Sequence, residues 1–338
     1  LDLNLKATDW LNLTWRPSIS SRSTADRFFS RGEIADAYAL SVRSLNSIPS
    51  DLEERNFSDN RLSSELFANF NKDINNNFKV TGVLGTYARQ DSRRTTAVGA
   101  STLVVPDLFS LSNRTGILNG SSTAYTDRLF SVYGSAGLSY KGWANVEVTG
   151  RNDWSSSLPA DSRSYFYPSV SGSVLPTAFF NPIEDVLDFW KIRASWTVAK
   201  KDLSVYEINR VFNVSTDVWN GLSTATYPTK IRDANIKPET ESSYEFGTNF
   251  RFFNNRLSFD YTYFTRLRYD RLIEANISKA SGFSRMITNI SEDLKQKGME
   301  FTIGGKPVVN KDFTWESSFN LSFWHWYYHK MDPIHSSK

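Results

Sequence analysis

The chain has 338 residues, with 39 Lys plus Arg against 36 Asp plus Glu, no Cys, and 14% aromatic residues that comprise 24 Phe, 15 Tyr and 10 Trp. No five consecutive residues are apolar, so there is no membrane-spanning helix, which needs about 20 mostly apolar residues in a row. A net charge of +3 with both signs interspersed gives no basic field for nucleic acid, and the lack of Cys removes disulfides, thiolate metal sites and Cys nucleophiles.

Abundant aromatics without apolar runs require alternation. Successive side chains of a strand point to opposite faces, so one face can be greasy and the other polar. Read in chain order, the alternation predicts strands near 1–7, 11–20, 61–71, 78–87, 129–140 and 143–152, then 165–175, 189–199, 241–253, 256–269, 296–304 and 313–324. In the eighth, Trp190, Ile192, Ala194, Trp196 and Val198 alternate with Lys191, Arg193, Ser195 and Thr197. That run has the ~9 to 11 residues a tilted strand needs to cross a bilayer. Around Asn254-Asn255, a pair that tolerates positive φ, a tight turn sets Phe252 against Leu257, Phe250 against Phe259 and Phe246 against Tyr263. The other face then sets Arg251 against Ser258, Asn249 against Asp260 and Gly247 against Thr262.

Short links at Thr8-Asp9, 72–77, Lys141-Gly142, Asn254-Asn255 and 305–312 alternate with long ones at 21–60, 88–128, 200–240 and 270–295. Two links, 153–164 and 176–188, are intermediate, and in the second Asn181-Pro182 reads as the start of a short helix. Short turns on one side and long loops on the other are the pattern of an outer-membrane β-barrel, with a soluble sandwich or propeller as the alternative. The expected fold is therefore all-β, a transmembrane antiparallel barrel wall of about twelve strands. The sequence opens on Leu without an apolar leader, and it reads as a piece of a longer chain.

The stretch from Arg151-Asn-Asp-Trp-Ser-Ser-Ser-Leu-Pro to Tyr165-Phe-Tyr-Pro-Ser resembles a strand, loop and strand of the SusC-like (RagA-like) TonB-linked outer-membrane transporters. So do Asp188-Phe-Trp-Lys-Ile-Arg-Ala-Ser-Trp, Ile236-Lys-Pro-Glu with Ser243-Tyr-Glu-Phe-Gly and Arg251-Phe-Phe-Asn-Asn-Arg-Leu, and Lys297-Gly-Met-Glu-Phe with Asp312-Phe-Thr-Trp. Residues 129–324 carry the resemblance, and the first 128 match only in their hairpin pattern. It implies that residues 1–338 are part of one barrel domain of 22 strands, whose N-terminal plug and final strands lie outside this chain. It further implies a place in the bacterial outer membrane, among its lipid, with a SusD-like surface lipoprotein as partner and TonB acting through the plug. The implied function is energised import of a bulky nutrient, first an oligosaccharide and alternatively a peptide. A smaller passive porin or an outer-membrane lipase is the remaining alternative.

No catalytic constellation, cofactor motif or metal site is legible, and an enzyme is not expected. All three His lie at 325, 329 and 335 outside any nucleophile motif. His325 and His329 would sit roughly 13 Å apart on a strand, too far to share a metal. Trp324, Trp326 and Tyr328 suit an aromatic girdle at the membrane boundary. Gly304-Gly305-Lys306 reads as a turn, and the carboxylates at Glu53-Glu54 and at Glu239 and Glu241 read as solvated loop charge. Candidate cargo contacts, chosen for stacking and hydroxyl-binding chemistry near strand ends, are Asp153, Trp154, Arg163, Tyr165 and Trp219. Arg193, Asn249, Arg251 and Asp260 are expected to face the lumen, with Trp190, Trp196, Phe250 and Phe259 toward lipid.

Overall fold

The computed structural model describes residues 1–42, 46–180, 183, 185–207, 211–220, 222–233 and 235–332, with backbone alone for 213, 215–219 and 223. The first strands are β1 (Leu3–Lys6), β2 (Leu11–Ser30), β3 (Asp51–Asp73), β4 (Phe78–Ala100) and β5 (Asn119–Tyr140), with one helical turn, α1 (Ala37–Ser41), between β2 and β3. Next come β6 (Ala144–Ser155), β7 (Ser164–Val174) and β8 (Leu187–Lys201), then the short β9 (Asn213–Trp219), β10 (Leu222–Thr226) and β11 (Lys230–Arg232). The chain continues through β12 (Glu239–Phe252), β13 (Leu257–Tyr269), β14 (Leu272–Asn276), β15 (Arg285–Asn289), β16 (Asp293–Val309) and β17 (Thr314–Lys330).

Twelve strands form one sheet in the order β1-β2-β3-β4-β5-β6-β7-β8-β12-β13-β16-β17, and each overlaps one of the twelve expected stretches. The short strands form two small sheets, β9 with β10 and β11-β15-β14, inside segments expected to be plain loops. By contact density the chain divides into two units. One comprises Leu1, 17–64 and 88–128, and the other comprises 2–16, 65–87 and 129–338.

The larger unit shows why alternation makes a wall. The register pairs Phe252 with Leu257, Phe250 with Phe259 and Phe246 with Tyr263, and on the other face Arg251 with Ser258, Asn249 with Asp260 and Gly247 with Thr262. That is the pairing expected from sequence. The turn itself is longer than two residues. Phe253, Asn254 and Asn255 all have positive φ (57°, 56° and 61°), and the Arg256 N–H donates to the Phe252 carbonyl at 3.0 Å. The Asp188 carboxylate accepts the Asn255 N–H at 2.9 Å, so β8 also braces this turn.

On the apolar face, Trp190 stacks on Phe250 at 5.5 Å, and Phe250 meets Phe259 at 6.4 Å. The indole N–H groups of Trp190 and Trp196 donate to Thr248 Oγ1 (3.0 Å) and Ser242 Oγ (3.1 Å) on the same face. Internal satisfaction of those donors is what a hydrocarbon surround demands, because no water is there to take them.

In the smaller unit the strands continue through what was expected to be loop: 21–30 belongs to β2, 51–60 to β3, 88–100 to β4 and 119–128 to β5. The reason is chemical. Both faces there are polar: Arg61 pairs with Asp91 (2.6 Å), Arg89 with Asp127 (3.1 Å) and Arg93 with Asp59 (2.9 Å) on one, while on the other Arg27 reaches Glu54 (3.4 Å), Ser21 donates to Asn60 (2.6 Å) and Arg128 donates to Gln90 (2.9 Å). Without an apolar face there is no periodic signal to read.

Other departures are local. Gly304, Gly305 and Lys306 lie within β16, not in a turn, and the register shifts between Gly305 and Val308. Pro307 cannot donate to a ladder, so the bulge falls on it. Glu53, Glu239 and Glu241 are strand residues, and Glu53 and Glu241 are held by Arg55 and Arg268. The expected helix start at Asn181-Pro182 lies outside the described residues, as does His335.

Candidate functional site

The registers place Arg193, Asn249, Arg251 and Asp260 on one face of the larger unit and Trp190, Trp196, Phe250 and Phe259 on the other. The polar set is assembled around one carboxylate. Arg193 on β8 donates to both Asp260 oxygens (3.0 and 2.7 Å) and to Thr262 Oγ1 (2.6 Å) on β13, while Asn249 Nδ2 on β12 donates to Asp260 Oδ2 at 2.9 Å. To span β12, the guanidinium passes over Gly247, where a Cβ would lie 2.6 Å from Arg193 Nε. The glycine is thus a clearance for the arginine. Arg251 lies over the Phe189 ring at 5.0 Å. Beside this group is a depression of about 630 Å³ lined by Asn145, Glu147, Ser171, Arg193, Ser195 and Glu245. Its mixed charges and hydroxyls offer hydrogen bonds of both senses without a strong net field.

A second polar cluster on this face runs across β2, β3, β4, β5, β6 and β7. Arg16 reaches Glu65 at 3.3 Å, the Tyr133 hydroxyl donates to Glu65 at 2.7 Å, and Arg151 lies over Tyr133 and Tyr87. Arg151 also donates to Asp153 (2.7 Å) and Ser131 (2.8 Å), and the Tyr167 hydroxyl closes on Asp153 at 2.8 Å.

The five candidate cargo contacts separate. Asp153 and Tyr165 are cross-strand partners and both are buried: Asp153 inside the network just described, Tyr165 in a small core with Leu158, Leu203, Ile236 and Ile287. Trp154 follows Asp153 directly and lies on the opposite face, against Phe130 at 5.5 Å. Arg163 is exposed, with its carbonyl accepting the Ser155 N–H at 3.0 Å. Trp219 is on β9, and its side chain is outside the described residues. Asp153 and Trp154 therefore do not share one binding surface.

Sequence reading also missed an aromatic group on the polar face. Trp324, Trp326 and Leu294-paired Tyr328 sit opposite Gly298, Gln296 and Leu294, on the same face as Arg266 and Arg268, so they are not part of a girdle on the apolar face. His325 is on that apolar face, paired with Lys297 and stacked on Tyr327 at 6.1 Å. Parity carried from Asp260 through the β13–β16 and β16–β17 registers is the signal that finds this set.

A long-stranded antiparallel sheet with a self-satisfied aromatic face and an opposite polar face is the wall of a membrane β-barrel. The chain belongs to the TonB dependent receptor-like, beta-barrel family, whose description matches residues 1–333, and such barrels are receptors of the outer membrane, not enzymes. It is 29% identical over 247 residues to TonB-dependent receptor P3 of Formosa agariphila, covering 71% of this chain and 24% of that protein. To TonB-dependent receptor SusC of Bacteroides thetaiotaomicron it is 28% identical over 214 residues, covering 60% of this chain and 21% of SusC. Its fold is similar to the solved RagAB peptide transporter, with a TM-score of 0.85 at 18% identity over 98% of this chain and 36% of that one. The chain spans less than a quarter of the length of these two curated relatives.

Proposed function

We propose that residues 1–338 are part of one outer-membrane barrel domain of an energised importer, with Arg193, Asn249, Arg251 and Asp260 facing its lumen and a neutral oligosaccharide as cargo. The observation that carries the cargo reading is charge neutralisation on the polar face. Arg193 is bound to Asp260, Arg268 to Glu241 and Arg151 to Asp153, and the other charges lining the depression, Lys79 and Lys191 with Glu147 and Glu245, balance in sign among the neutral Ser195, Asn249 and Thr262. A glycan needs hydrogen-bonding groups and stacking rings without a strong field, whereas termini and charged side chains of peptides gain from one. Likeness to SusC supports a SusD-like lipoprotein partner and energisation through TonB. The alternative, a peptide cargo, rests on the likeness to the RagAB peptide transporter, which is a likeness of fold.

Uptake distinguishes them. Cells carrying the full-length gene are given fluorescent neutral oligosaccharides or fluorescent peptides, with TonB present or deleted. TonB-dependent accumulation of oligosaccharide supports the proposal. Accumulation of peptide alone refutes the cargo, and uptake unchanged by TonB deletion refutes the energised mechanism.

A further inference from the structure

The inward faces of β13, β16 and β17 form a tile of three rows. The registers give Phe264, Gly298 and Trp324 in one row, Arg266, Gln296 and Trp326 in the next, and Arg268, Leu294 and Tyr328 in the last. The middle strand is thus low in the first row, at Gly298. At Gly298 a Cβ would meet Phe264 Cζ at 2.3 Å, so the glycine lets that ring lie down across β16 and stay buried. Trp324 stands beside that glycine in the same row.

The polar groups around these rings are already ordered. Arg268 lies over the Trp326 ring at 4.8 Å, and its Nε donates to Glu241 at 2.5 Å. Arg266 lies over Phe264 at 4.8 Å and reaches Glu245 at 4.0 Å. Between them, Gln296 is only 7% exposed, and its Oε1 is buried without a hydrogen-bond donor among the described residues. A buried acceptor left unpaired costs the desolvation of that group, so it is a place where an added O–H donor gains binding.

We infer that this tile is a sugar-binding step on the lumen wall, where a hexopyranose of the cargo lays its C–H face on Trp324 and a ring hydroxyl entering between Arg266 and Trp326 donates to Gln296. The occupant follows from the chemistry. An indole face matches the apolar face of a pyranose, and the planar polar groups beside it match equatorial hydroxyls. Both cations here face carboxylates, so the step carries no free charge to select an anion.

The inference rests on the oligosaccharide reading above, and the test separates the two. Full-length protein is purified in detergent and titrated by calorimetry with cellohexaose, maltohexaose and mannohexaose, and with a hexapeptide mixture. For the oligosaccharide bound by wild type, Trp324→Ala is expected to weaken binding about fivefold to tenfold, which is what one aromatic stack is worth. Trp324→Phe retains most of the affinity, Gln296→Leu loses severalfold, and Val170→Ala on the other face, paired with Trp196, binds as wild type. Heat-modifiable gel mobility identifies variants that fail to fold, and for those the Phe and Leu variants decide. Oligosaccharide binding unchanged in Trp324→Ala and Gln296→Leu overturns the sugar step alone. Binding of none of the oligosaccharides, or of the peptides only, overturns the glycan reading and the step with it.

Discussion

The Arg193 brace gives a quantitative check on the wall. Replacing Gly247 with Ala puts a methyl 2.6 Å from Arg193 Nε, 2.7 Å from Cζ and 2.9 Å from Nη2, all too close for carbon. Relief requires the guanidinium to lift, which breaks its bonds at 3.0 and 2.7 Å to Asp260 and at 2.6 Å to Thr262. Both charged side chains are about a third exposed, at 37% and 32%, so solvent screening limits the ion pair to at most about 1 kcal/mol. Adding the strain of a methyl with no space gives a total of ~1–2 kcal/mol for Gly247→Ala. In an Arg193→Ala background the obstruction is gone. There the same methyl costs nothing or gains up to about 1 kcal/mol, because Gly in a strand interior is the poorer choice. The assay is urea-dependent folding of the full-length protein into lipid vesicles, followed by Trp fluorescence across the four members of the double-mutant cycle. A coupling of ~1–2 kcal/mol is expected. An equal cost of Gly247→Ala in both backgrounds would refute the clearance argument.

Three more outcomes are expected. Phe259→Arg should cost ~2–4 kcal/mol in the same titration if that residue lies near the bilayer midplane, and Arg251→Ala markedly less; equal losses would argue against a lipid-facing Phe259. An impermeant maleimide on whole cells should modify Cys at Ile117, in the long link 101–118, but reach Cys at Asn76, in the short link 74–77, only after permeabilisation; the opposite pattern reverses the orientation. In the link between β13 and β16, the Lys230 ammonium, followed by the Arg285 guanidinium, holds the Glu274 carboxyl below its ordinary value of 4.5. A carboxyl lowered in the folded state stabilises above its ordinary value and ceases to do so as pH falls through the lowered one. Proteolysis of this link should therefore quicken as pH drops below about 4, and Glu274→Gln should flatten that dependence; an unchanged profile in the variant would remove Glu274 from the account.

Much of the wall was legible because a lipid face enforces a period of two. Trp190 to Val198 and Phe246 to Phe252 announce strand, face and register together, and a slip of one residue would put Arg193 or Asp260 onto the aromatic face. The strand extensions of the smaller unit were not legible, because Asp51-Leu-Glu-Glu-Arg and Asn119-Gly-Ser-Ser-Thr have no apolar face to keep. Local propensity there reads as loop, and it is ladder hydrogen bonding continued from the neighbouring stretches that extends the strands. The candidate site was half legible. Arg193, Asn249, Arg251 and Asp260 share a face as alternation requires, but Asp153 and Trp154 were chosen for chemistry without regard to parity, and adjacent strand residues cannot share a face. At Trp324 and Trp326, aromatic content suggested lipid, whereas the register from Arg266 and Arg268 puts those rings on the polar face.

The decisive measurement is the surroundings of neighbouring residues in the full-length protein in lipid vesicles. A fluorophore is attached to Cys placed singly at Phe259, Asp260, Phe250 or Asn249, and quenched by a nitroxide on the lipid chain or by iodide in water. Strong lipid quenching at 250 and 259, with strong iodide quenching at 249 and 260, is the expected result. Iodide quenching at 250 and 259 with lipid quenching at 249 and 260 would invert the wall, and no alternation at all would contradict a membrane barrel.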